Sequence, residues 1–333
     1  MKGILLLEDG QAFEGISIGV PGERVGEVVL QTAVVGYQEM MTDTTNAGRI
    51  LVLTYPLIGN YGIAERFNES TRPWIGALII KEESRIYSNW QAESSFGQFL
   101  KRHDLLAMSG VDTRTLAVRV RDRGEMLGIV STNGDQPEEL LKRLKDHGGR
   151  ARKDFIARIS VSRITEIAGN GSGPIIAILD LGIHHGFLRQ LKNLRCRVRL
   201  LPYKTPPKEI LDSKPDGLIV SNGPEEDEAI PGVVETIRSL LGNIPLLGIS
   251  TGHQIICLAL GGQVKKMKMG HHGANYPVIS PCSFQGDISF QNHSWVVDEE
   301  TLRGNTEVDI TLSNLNDQSV EEKIGRASCR ERV

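Results

Sequence analysis

Cysteine is scarce in this chain. Its 333 residues hold four, Cys196, Cys257, Cys282 and Cys329. They are too sparse for a disulfide scaffold and lack metal-ligand spacing, which fits a reducing cytoplasm. Long apolar runs are missing as well. None reaches the roughly 18 residues of a spanning helix, and the opening Met1 to Asp9 turns polar too early for a secretion signal. No charge of one sign prevails: the net charge of −3 gives no electrostatic case for a nucleic-acid or membrane partner. Internal repeats and low-complexity tracts are also absent. The composition left, 40% hydrophobic and 24% charged, is that of a globular protein long enough for two domains.

Short β-like runs at Ile4 to Leu7, Gly26 to Leu30, Ile50 to Thr54 and Ile75 to Ile80 alternate with turn signals. Helical patterns follow at Ser94 to His103, Thr113 to Arg123 and Pro137 to Asp146, so an α+β domain is expected over 1–149. Residues 150–172, basic and then rich in Gly, Asn and Ser, read as a linker. From Pro174 the rhythm is β-α-β. Strands are expected at Ile175 to Asp180, Arg197 to Leu201, Gly217 to Ser221 and Ile244 to Ile249. Helices are expected at Gly186 to Leu194, Val233 to Leu241 and His253 to Leu260. This predicts an α/β domain over 173–322, a parallel sheet with helices on both faces and its chemistry beyond the strands' C-terminal ends.

The most informative segment is Gly248 to Gly252, a G-x-S-x-G turn between an apolar strand and a helix. Such a nucleophile elbow exposes Ser250 opposite a helix N-terminus, whose N–H groups can stabilise an oxyanion. An ordinary strand–turn–helix with an incidental serine is the alternative.

Several further motifs carry a family resemblance over nearly all of residues 1–322. In the first domain they are Leu7 to Gly10, Gly26 to Val29, Gly36 to Glu39, Leu53 to Asn60, Leu100 to His103 and Gly110 to Leu116. In the second they are Ser221 to Pro224, Gly252 to Gln254, Met269 to Asn275 and Gln291 to His293. The chain resembles the small subunit of carbamoyl-phosphate synthase, a class I glutamine amidotransferase. The resemblance implies that an elbow cysteine attacks the glutamine amide, assisted by a His–Glu pair. Ammonia then travels to a large synthetase subunit that uses bicarbonate and ATP to make carbamoyl phosphate for pyrimidines and arginine. ATP and Mg are expected in that partner, and no metal or cofactor in this chain. By position, Ser250 stands at the nucleophile, and Gly223 and Thr251 offer backbone N–H groups to the oxyanion. Thr45, Gln254 and Asn292 hold the substrate, with Ser294 and Trp295 lining the pocket.

Departures from the family concentrate at the chemistry. Serine replaces cysteine at 250, Thr251 replaces leucine, and Ser294 and Trp295 replace glycine and phenylalanine. Glu225 replaces a glycine, putting a carboxylate where backbone should approach the substrate. His184 and Gly186 replace a lysine and an asparagine. The family's later His-Pro-Glu segment has no counterpart, and Lys323–Val333 resembles a translated sequencing adapter, so the natural chain is expected to continue past Glu322. The Ser250–Thr251 pair is similar to the ammonia-dependent, urea-cycle branch of the family, which implies weak or absent glutamine hydrolysis. A silent docking subunit is therefore an alternative. A serine hydrolase using Ser250 with His293 and Asp287 or Asp298 is a remote one. Cys257 is expected as a buried core thiol, His271 and His272 as part of a structural turn, and Lys265 to Lys268 as a solvated strand edge.

Overall fold

A run such as Ile50–Leu53, apolar at every position, can be stable as a strand only if both its faces are covered. In the computed structural model, which describes residues 1–147, 154–167, 173–281, 283, 285–302 and 308–325, such runs line two separate units. The first is Met1–Lys153 with Lys268–Gly273, and the second is Asp154–Met267 with Ala274–Val333.

The first unit is built on β1 (Lys2–Leu7), β2 (Ala12–Ser17), β3 (Glu23–Gln31), β4 (Ile50–Leu53), β5 (Leu57–Ile58), β6 (Ala77–Ile79), β7 (Glu82–Glu83), β8 (Leu106–Ser109) and β9 (Met126–Ser131). Seven of them close a barrel in the order β1-β2-β8-β6-β4-β3-β9, while β5 and β7 pair separately. Neighbours from β3 through β4 and β6 to β8 are parallel, and the remaining joins are antiparallel. The two-residue period sorts the side chains into two cores. Leu5, Leu7, Val28, Ile50 and Val52 pack with Leu116 and Val120 of α3 (Thr113–Arg123). Val29, Leu51 and Leu78 pack with Met41 of α1 (Tyr37–Thr42) and Phe99 of α2 (Phe96–Arg102). Helix α2 starts where Ser95 and Gln98 cap each other's backbone reciprocally, and α4 (Pro137–His147) buries Leu140 and Leu144.

His271 and His272 do not form the expected turn. They lie within the long strand Val264–Ile279. The backbone N–H of Glu125 donates to Lys268 O at 2.8 Å, and Nε2 of buried His272 stands 2.9 Å from Glu125 Oε1. Main-chain pairing along this strand overrides the turn tendency of the intervening glycines.

The second unit follows the β-α-β rhythm. Helix α5 (Phe155–Ile159) and β10 (Thr165–Ile167) precede β11 (Ile175–Asp180), α6 (His185–Asn193), β12 (Arg197–Pro202), α7 (Pro207–Asp212), β13 (Gly217–Val220), α8 (Ile230–Leu240), β14 (Leu246–Gly248) and α9 (Thr251–Ala259). The sheet order is β10-β12-β11-β13-β14, parallel apart from β10. One face is covered by α5, α7, α8 and α9 through Ile156, Ile210, Ile237 and Ile255, and the other by α6 through Leu191. A second, four-stranded barrel has the order β15-β16-β18-β17, formed by β15 (Val264–Ile279), β16 (Gly286–Val297), β17 (Val308–Asn314) and β18 (Val320–Gly325). The short α10 (Glu299–Leu302) adds buried Leu302 beneath it.

Two segments differ from expectation. Of the linker predicted over 150–172, residues 150–153 and 168–172 lie outside the described residues. The part between is structured: Ile156 enters the core and β10 pairs antiparallel with β12. A single apolar anchor among basic neighbours gives too weak a periodicity to be seen in the sequence. Similarly, Lys323, Ile324 and Gly325, set apart as a tail, continue β18 opposite Ile310, Asp309 and Val308. Residues 326–333, with Cys329, and Cys282 lie outside the described residues.

The sheet positions the elbow through one close approach. A Cβ built on Gly252, in the first turn of α9, would stand 2.0 Å from Val220 O of β13. Gly252→Ala is expected to force α9 off the sheet and to destabilise the fold by about 1–3 kcal/mol. Gly232→Ala, in α8 with open space around it, is expected to add about 0.5–1 kcal/mol. Thermal melts of the two variants beside the parent check the contrast.

Candidate active site at the nucleophile elbow

Strands β11, β13 and β14 end in register, with Leu179 opposite Val220 and Val220 opposite Gly248. The loops that follow therefore share one edge of the sheet. Buried Asp180 organises the first loop: Oδ1 accepts from Gly182 N and Ile183 N at 3.0 Å, and Oδ2 from Val161 N at 2.8 Å. Burial raises its pKa, and these N–H bonds oppose the rise. The second loop is tied to the first by Ser221 Oγ, which accepts from Leu181 N at 2.8 Å, and by Asn222 Nδ2, which donates to Gly182 O at 2.9 Å.

Ser250 sits at the apex of the third loop with φ 52° and ψ −113°. A non-glycine residue in this region stores about 1–3 kcal/mol of strain, which the packing of α9 on β13 sustains. Ser250 precedes the first residue of α9, so the helix's unpaired N–H groups and the positive end of its dipole face this turn. Buried Thr251 donates its hydroxyl to Gly223 O at 2.6 Å. That bond joins the two backbone segments expected to supply oxyanion donors. Gly223 is confined too, since a Cβ there would meet Leu181 O at 2.3 Å.

Glu225 follows two residues later. Its carboxylate is buried, with Oε1 accepting from Gln254 Nε2 at 2.9 Å and Trp295 N at 3.2 Å, and Oε2 accepting from Ser294 N at 2.8 Å. Gln254 Nε2 also donates to Trp295 O at 3.1 Å. Five residues singled out in the sequence, Glu225, Thr251, Gln254, Ser294 and Trp295, are thus gathered with Gly223 on α9, β16 and the loop after β13. Asn292 lies half-buried on β16. Thr45 belongs to the first unit, buried in a single 3-10 turn where its N–H donates to Asp43 Oδ1 at 2.8 Å.

Next to this group stand His293, weighed in the sequence as the base of a serine hydrolase, and three residues to which the sequence reading gave no role, His253, Glu321 and Lys323. His293 Nδ1 donates to Trp295 O at 3.0 Å, and Nε2 lies 3.5 Å from Glu321 Oε2. Burial lowers the pKa of His293, but Glu321 and Glu225 outweigh it and hold the ring above its ordinary value. His253 is the reverse. Burial first, then the Lys323 charge, pushes its pKa down to about 3, although Glu321 opposes the fall. Lys323 Nζ donates to His253 O at 2.9 Å. A strand reading of 320–325 would have placed Glu321 and Lys323 on one face by their two-residue spacing.

The remaining candidates are engaged elsewhere. Asp298 accepts from Lys265 Nζ at 3.0 Å, and Asp287 from Ile288 N at 2.7 Å. The His293 ring faces Trp295 O and Glu321 rather than completing an Asp–His relay. Cys257 is buried, its thiol pKa raised by burial, with Sγ donating to Gln263 O at 3.8 Å.

The two histidines give opposite pH signs. The unfolded His253 takes a proton below about pH 6.5, but the folded ring stays neutral down to about 3. Stability is therefore lost as pH falls through that window. The His293 contribution is fully present below about pH 6.5 and fades as pH rises through its raised folded value. Urea melts are expected to show His253→Gln losing less stability than the parent on acidification from neutral pH. His293→Gln should lack the parent's gain as mildly alkaline solutions are brought toward pH 6.5.

Residues 5–130 match the family model for the carbamoyl-phosphate synthase small chain, CPSase domain, and residues 177–328 match that for glutamine amidotransferase class-I. The chain is 40% identical over 321 residues to the carbamoyl phosphate synthase small chain of Clostridium acetobutylicum, covering 96% of this chain and 90% of that one. It is 38% identical to the small chain of Listeria innocua, covering 96% and 87%, and 37% identical to the pyrimidine-specific small chain of Bacillus subtilis, covering 96% and 86%. Matching domains in the same order, at this identity along nearly the full length of both partners, establish that the chain belongs to the carbamoyl phosphate synthase small-chain family, the glutamine amidotransferase subunit of that enzyme.

Proposed function

We propose that the chain docks on a large synthetase subunit as its amidotransferase partner but hydrolyses glutamine weakly or not at all, so that the pair draws on free ammonia. The observation that carries this reading is the alcohol of Ser250 at the strained apex of the elbow. A thiol at a helix N-terminus gains thiolate readily from an ordinary pKa of about 8.5. A serine hydroxyl instead needs a base that accepts its proton at the moment of attack. His293, held above its usual pKa by two carboxylates, is more protonated near neutrality and correspondingly poor in that role.

Under this reading Gly223 and Thr251 still present backbone donors to the apex, and Gln254, Asn292, Ser294 and Trp295 remain the second unit's residues for holding glutamine. The fold that sets a donor frame around residue 250 is retained, while the nucleophile has lost its reactivity. A serine hydrolase would require an Asp–His relay toward Ser250, and the bonds made by Asp287, Asp298 and His293 give no support to one.

Two measurements test the proposal. Reconstituted with a large subunit, the chain should support carbamoyl phosphate formation from ammonium. Its glutamine-dependent rate is expected to fall below that of a cysteine-bearing relative by a factor on the order of 10⁴ to 10⁶. Robust glutamine turnover by the unmodified chain would overturn the reading. In Ser250→Cys, iodoacetamide should alkylate residue 250 at least ~10-fold faster than buried Cys257. Its glutamine turnover is nevertheless expected to stay roughly 10³-fold or more below that of the relative, because a thiolate alone does not restore the proton relay.

A further inference from the structure

Three hydrogen-bond donors from two elements converge on one carboxylate. Gln254 Nε2 comes from α9, and Ser294 N and Trp295 N come from β16. Glu225 takes all three with both of its oxygens, at 2.8 to 3.2 Å and buried from solvent. Two main-chain N–H groups beside a side-chain amide make a cradle suited to a carboxylate, because each of its oxygens finds a donor. Buried donors of this kind cost free energy when empty. Here the Glu225 carboxylate offsets that cost.

We propose that Glu225 is a tethered carboxylate ligand that fills the pocket's own carboxylate cradle and so excludes a free amino acid from it. This rests on the reading of Gln254, Ser294 and Trp295 as substrate-holding residues and deepens it. The sequence alone suggested that Glu225 obstructs the approach of substrate. The bonds assign it a different action: it satisfies the donors that a substrate carboxylate would need.

The loop that carries Glu225 is fixed at several points. Pro224 restricts the backbone immediately before it. Thr251 Oγ1 clamps Gly223 O, and Ser221 Oγ accepts from Leu181 N. The side chain is therefore delivered with little conformational freedom left to lose, at an effective concentration that a dissolved amino acid must outcompete. A purely structural glutamate would leave no carboxylate-specific site when removed. A tethered ligand would.

The test uses binding, not turnover. L-glutamine and, separately, sodium acetate are titrated into the full chain and into Glu225→Gly and Glu225→Gln, with calorimetry and thermal shift as readouts. Glu225→Gly should bind L-glutamine on the order of 100-fold or more tighter than the parent. Acetate, but not chloride at equal ionic strength, should raise its melting temperature saturably and leave the parent unmoved. Glu225→Gln, which keeps the shape but turns an NH₂ toward the donors, should bind neither more tightly than the parent does. The proposal is overturned if the parent binds L-glutamine within about threefold of Glu225→Gly, or if a folded Glu225→Gly responds to neither ligand. Turnover is read separately with the large subunit. A failed cradle with glutamine hydrolysis still absent leaves the silent-subunit reading standing, whereas hydrolysis by the parent removes that reading.

Discussion

The packing of α9 directly on the backbone of β13 is the constraint from which the second unit's site follows. Gly252 has no room for a side chain above Val220 O, and Gly248 is equally crowded by the Gly252 carbonyl. With the helix pressed so close, the connection from β14 must turn within Ile249 and Ser250. The turn is too tight for ordinary dihedrals, so Ser250 takes a positive φ. The strain is sustained by apolar burial along α8 and α9, where Ile237 and Ile255 reach the same core as Leu179 and Val220. Position 250 is exposed to chemistry because the core beneath it is over-determined. The same packing leaves the helix N-terminus pointing at it.

That geometry is indifferent to which atom stands at the apex. Sulfur and oxygen both fit a G-x-S/C-x-G turn, and neither changes the strand register or the glycine contacts. The difference is in ionisation. The dipole and N–H groups of α9 can favour an anion already formed or forming. They cannot supply the proton acceptor that an alcohol requires. The packing around the elbow therefore accommodates either atom, and stability alone gives no account of the substitution.

Regular periodicity made most of the architecture legible. Helix α3 runs over the predicted residues Thr113–Arg123, and β11 over Ile175–Asp180, because each carries a complete apolar pattern bounded by Asp, Gly or Pro. The elbow was legible from two glycines and an apolar run. Short elements were not. Helix α5 depends on one buried isoleucine, and β10 exists only through its pairing with β12, a tertiary contact that no local pattern encodes. The His271–His272 stretch looked like a turn because its glycines are local signals, whereas its conformation follows from pairing along β15. In the site, residue identities could be read, but bonding partners could not. Glu225 looked like an obstruction until Gln254, Ser294 and Trp295 were seen to converge on it. Glu321 escaped notice because no strand was read across 320–325, the tail having been set to begin at Lys323 in the middle of β18.

The two acidic residues beside His293 share one effect, and Glu225 has a second of its own. Glu321, with Glu225, favours the charged form of His293 against the pull of burial. A histidine held in that form donates well and accepts poorly. Glu225 meanwhile satisfies the donors of α9 and β16. Restoring a thiol at 250 would address neither effect. On the reading proposed above, a glutaminase would need a reactive atom, a neutral base and an open carboxylate cradle together, and the last two are coupled: Glu225 acts on both, and Trp295 O accepts from His293 Nδ1 and from Gln254 Nε2. Under that reading, reversing any one of the three alone brings little return. An alcohol at the elbow and a carboxylate beside it can then persist side by side, because neither disturbs the packing of α9 on β13.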